Sequence, residues 1–168
     1  MEIYIVPINK IKISSDIIKK LSSDIVSSYR LDLDLDNNNV MLEDFSGRRL
    51  DFENIPNNKA VLFSIANNKI ATLYKSENIN DIDDEYLFLE DYWSNDKSVL
   101  MEFAQKWKDA GYYFIIEGLN EGDWNQKIMI LISAEIAKLT NGFILIDSNN
   151  LGFIEPGVYS WQKIHKLV

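Results

Sequence analysis

The chain has 168 residues, 46% of them hydrophobic and 12% aromatic, which is enough apolar material for one domain with its own core. It contains no cysteine, so disulfides, thiolate metal sites and cysteine nucleophiles are excluded together, and a reducing compartment fits. The net charge of −9 disfavours nucleic acid and anionic membranes as partners and suits a basic protein or plain solubility.

Arg48-Arg49 is the only basic doublet with arginine, and acidic residues flank it. Met1 to Pro7 lacks the basic and apolar regions of a signal peptide. The longest apolar run, Ile128 to Ala134 with Ser133 inside it, falls far short of the roughly 20 residues that span a bilayer. The expectation is a cytoplasmic protein, with neither membrane nor nucleic acid among its partners.

Met1–Val6 is alternating and β-branched and predicts a strand that ends at Pro7. Ser15–Tyr29 places Ile17, Ile18, Leu21, Ile25 and Tyr29 at helical spacing, with Ser15 as N-cap. Leu31–Asp36 alternates leucine with aspartate, and Asn37-Asn38-Asn39 follows as a turn. Ala60–Ile65 and Ile70–Tyr74 read as a β-hairpin reversing through Asn67-Asn68, because asparagine tolerates positive φ. Tyr86–Leu89 is a further short strand.

Asp96–Ala110 predicts a helix whose apolar stripe is Val99, Leu100, Phe103, Trp107 and Ala110, closed by Gly111. Tyr112–Glu117 follows as a buried strand. Asp123–Thr140 predicts a helix closed by Asn141-Gly142, although Ile128–Ile132 is apolar on all sides and a strand remains an alternative there. Phe143–Asp147 is another strand, Gly152–Tyr159 an extended segment, and Trp161–Val168 a short amphipathic piece. No repeat or linker divides the chain, so residues 1–168 form one α+β domain. Its expected architecture is a mixed or mainly antiparallel sheet with helices packed on one face.

Several constellations invite chemistry. Asp32, Asp34, Asp36 and Glu43 fall at positions one, three, five and twelve of an EF-hand-like calcium loop. Asn37 stands where that loop needs glycine, Leu33 and Leu35 sit between the ligands, and no helix starts after Glu43. The competing reading is a strand with leucine inward and aspartate outward. Glu117 and Asp147 each close a predicted strand. On adjacent parallel strands they would share one edge, as an acid–base pair or a hard-metal site. Carboxylates at strand ends also serve as turn and cap acceptors. His165 is the single histidine and is expected to be structural, since no nucleophile elbow accompanies it. Gly118 to Gly122 precedes a helix but matches neither dinucleotide nor P-loop spacing, and Glu121 and Asp123 would repel phosphate. No cofactor and no catalytic set follow from these residues.

Asn80–Asp91 is the most unusual stretch. Asp81, Asp83, Asp84, Glu85, Glu90 and Asp91 bracket Tyr86 and its apolar neighbours, and Tyr92 and Trp93 follow. Aromatics anchor interfaces and carboxylates steer and pair with arginine, so this segment suits a basic protein partner. An ordinary solvated loop is the alternative. The segment Ala134-Glu-Ile-Ala-Lys-Leu-Thr-Asn-Gly-Phe-Ile-Leu-Ile-Asp147 is similar to helix–Gly–strand segments of the small acidic immunity proteins that protect bacteria from their own secreted toxins. The resemblance covers little more than that segment, and immunity families share no common functional residues, so none is carried over. It implies one-to-one capture of a cognate protein toxin, with a basic nuclease suggested by charge. A small metal-dependent hydrolase built on Glu117 and Asp147, with the Asp32–Asp36 run as a further source of carboxylates, or a non-catalytic adaptor, are the other readings.

Overall fold

Strand formation at the N-terminus follows from alternation. Glu2–Val6 is β1, and its neighbours on the two sides differ in character because successive side chains point to opposite faces. The computed structural model describes residues 2–9, 41–48, 59–65, 68–77, 97–119, 123–146 and 154–168. After β1 come β2 (Met41–Glu43), β3 (Ala60–Ile65), β4 (Asn68–Ser76), α1 (Lys97–Ala110), β5 (Tyr113–Gly118), α2 (Asp123–Leu139), β6 (Phe143–Ile146), β7 (Gly157–Ser160) and α3 (Trp161–Leu167). The strands form one seven-stranded sheet, ordered β2-β3-β4-β5-β1-β6-β7, in which every pairing is antiparallel. The protein is therefore α+β, with an antiparallel sheet. The predicted helix at Ser15–Tyr29, the alternating segment Leu31–Asp36 and the strand at Tyr86–Leu89 lie outside the described residues.

The β3–β4 hairpin is tight: Ile65 pairs directly with Asn68, so Asn68 already belongs to the strand rather than to the reversal. Phe63 pairs with Ala71 but Ser64 with Lys69, which leaves Ile70 as the extra residue of a bulge. The bulge turns Ile70 and Ala71 to the same side, and both are buried in one core cluster.

Strand alternation divides the apolar residues into two clusters. Ile3, Ile5, Phe114, Ile116, Ile144 and Ile146 face α2, while Tyr4, Val6, Tyr113 and Leu145 face Trp107 of α1. Two of the three helices among the described residues, α2 and α3, share a face, and α1 covers the other. The sequence expectation of helices on one face describes α2 and α3. It did not place α1, because an amphipathic stripe states that a helix is half-buried and not which face it covers.

The region where a strand was an alternative is helix. Ile128, Met129, Ile130, Leu131 and Ile132 are all buried, because α2 packs between the sheet and α3. Its end is a Schellman motif. Asn141 takes φ 50°, its N–H bonds Lys138 O at 3.2 Å, and Gly142 N–H bonds Ala137 O at 2.7 Å. The freed carbonyl of Thr140 accepts from Ile8 N at 3.1 Å and Asn9 N at 2.8 Å, which ties the helix end to the chain leaving β1. Gly142 is required by approach: a Cβ there would lie 2.2 Å from Val6 O. Gly111 ends α1 at φ +73°, as its position predicts.

Two stability predictions follow from this packing. Gly142→Ala is expected to destabilise by about 1–3 kcal/mol, because backbone of β1 must move to admit the methyl group. Trp107→Ala is expected to cost about 3–5 kcal/mol, since the ring fills the space against Tyr4 and Tyr113 at centroid distances of 6.3 and 5.2 Å. Urea denaturation monitored by circular dichroism measures both; wild-type midpoints would show the packing account to be wrong.

Candidate functional site

The acidic–aromatic segment connects two described elements. Strand β4 ends at Ser76, which pairs with Tyr113 of β5, and α1 begins at Lys97. Asp81, Asp83, Asp84, Glu85, Tyr86, Glu90, Asp91, Tyr92 and Trp93 thus belong to the connection between an inner strand of the sheet and the helix on one of its faces. All nine lie outside the described residues.

Glu117 sits near the end of β5 and is exposed; Asp147 lies outside the described residues. Both β5 and β6 run antiparallel to β1, so they are parallel to each other but not adjacent. The strand between them holds their backbones roughly 9–10 Å apart. The strand adjacency on which a Glu117–Asp147 pair would depend is therefore absent, since β1 lies between β5 and β6. The register gives Glu117 a different carboxylate neighbour, Glu2, directly opposite it on β1, with Thr72 of β4 on the other side. Tyr4 Oη donates to Glu2 Oε2 at 2.7 Å. Like charges directly opposite across a ladder repel. Sequence reasoning missed this pair because it depends on β1 pairing with a strand more than 100 residues away.

Of the calcium-loop residues, Glu43 is described, and it lies on β2 opposite Leu62 rather than at the head of a helix. A hydrogen-bonded turn follows it. Asp44 Oδ1 accepts from Ser46 N at 2.9 Å, Ser46 Oγ at 2.5 Å and Arg48 N at 3.0 Å. The Ser46 hydroxyl, and then the Arg48 amide, hold the Asp44 carboxyl below its ordinary pKa. That carboxylate is committed to shaping the turn. Asp32, Asp34 and Asp36 lie outside the described residues. Among the described residues, no group of three or more histidine, cysteine or acidic side chains is placed to hold a metal ion.

His165 has a defined structural partner. Its Nε2 lies 2.9 Å from Glu135 Oε1 on α2, and Lys138 Nζ lies 3.7 Å from the other oxygen of the same carboxylate. Trp161 meets His165 edge-on, and Lys138 lies over the Trp161 ring at 5.4 Å. This group bridges α2 and α3 beside Ile164, which is fully buried. Ser160 caps α3, accepting from Lys163 N at 3.3 Å. The sequence carried one signal of the bridge, Glu135 and Lys138 at i,i+3 spacing on a helix. The histidine partner became visible only once the two helices were packed.

At the loop rejected for phosphate binding, Leu119 N donates to Ile70 O at 3.2 Å, so the end of β5 is tied to the bulge in β4. Tyr159 on β7 donates its hydroxyl to Glu155 O at 2.5 Å. Burial, followed by the nearby Glu155 charge, raises its pKa above the ordinary tyrosine value. No helix among the described residues is long and apolar enough to cross a membrane. Compared with protein-family models, curated proteins and solved structures, the chain matches none.

The His165–Glu135 bridge is tested by a double-mutant cycle. His165→Ala and Glu135→Gln are each expected to destabilise, with a coupling of about 0.5–1.5 kcal/mol between them; strict additivity would remove the bridge as a stabilising contact. Tyr159 supplies a pH prediction. A raised folded-state pKa means that its contribution is complete below the ordinary value of 10.0 and is lost as pH rises through the folded value. Melting temperature should therefore fall more steeply above that pH in the wild type than in Tyr159→Phe. Identical alkaline profiles would exclude the effect.

Proposed function

We propose that this chain is a binding protein of the immunity type, which neutralises a cognate bacterial toxin by direct one-to-one association in the cytoplasm of the cell that makes it. The observation that carries the reading is the segment Asp81–Trp93, where six carboxylates bracket or adjoin Tyr86, Tyr92 and Trp93 in a chain of net charge −9. Long-range attraction between opposite charges raises the rate of encounter, and aromatic side chains contribute most of the energy once water is excluded. The mechanism is occupation of a surface and involves no bond-making, so no cofactor enters it. A basic toxin, such as a nuclease, suits the charge.

The segment joins β4, which has strand partners on both sides, to α1, which buries Trp107 against the sheet.

The test is capture from the native cell at low and moderate salt, with the retained protein then expressed alone. One stoichiometric partner that is toxic by itself is the expected result; no partner at either salt would sink the proposal. Neutralising Asp81, Asp83, Asp84 and Glu85 to their amides should slow association by about tenfold or more and flatten its salt dependence. Trp93→Ala should instead act mainly through faster dissociation, costing about 2 kcal/mol or more. Surface plasmon resonance separates the two rates, and unchanged rates in both variants would move the interface elsewhere.

A further inference from the structure

We draw no further inference here: the strongest candidate, the carboxylate pair Glu2 and Glu117 held opposite one another on β1 and β5, is an acidic cluster for which no second observation among the described residues points to a ligand.

Discussion

The insertion of β1 between β5 and β6 is the constraint on which the rest of the structure depends. The first strand of the chain forms hydrogen-bonded ladders on both edges and buries side chains on both faces. Ile3 and Ile5 complete the layer beneath α2, and Tyr4 and Val6 complete the layer beneath α1. The two ladders unite the β2–β5 side of the sheet with the β6–β7 side. Such distant pairing incurs its loop-closure entropy before native contacts compensate for it, so the centre of this sheet is intrinsically slower to form than its hairpin.

The exit from β1 is controlled just as closely. Residues 8 and 9 donate to the carbonyl of Thr140, just past the end of α2, and Gly142 leaves room for the carbonyl of Val6. Helix termination and strand placement are therefore one event. The Schellman turn at Asn141 sets the direction in which β6 enters the sheet, and β6 enters beside the strand that turn touches. On the other side of α2, Ile164 and the His165–Glu135 contact attach the final helix. The single histidine thus acts as a fastener between helices, at a place where sequence alone offers a titratable group and no partner.

The same topology bears on the chemistry considered for this chain. Separation of β5 from β6 by β1 removes the neighbouring-strand arrangement on which the Glu117–Asp147 idea was built, and Glu43 occupies a strand instead of opening a helix. A binding role needs no such convergence. The segment proposed for that role follows β4 in the chain and precedes α1.

Local patterning by itself determined the identity and limits of most described elements. Alternation marked β1, the Asn67-Asn68 turn marked the β3–β4 hairpin, and the glycine at 111 and the Asn141-Gly142 pair marked helix ends, because these signals depend on φ preferences and side-chain spacing within a few residues. The acidic–aromatic character of Asp81–Trp93 was legible in the same way. Tertiary structure alone decided the strand order, the assignment of α1 and α2 to opposite faces, the opposition of Glu2 to Glu117 and the partnership of His165 with Glu135. Each of these joins residues distant in the chain. A period of two or 3.6 states that a segment has a buried side, but the partner that buries it is chosen by the packing of the whole molecule.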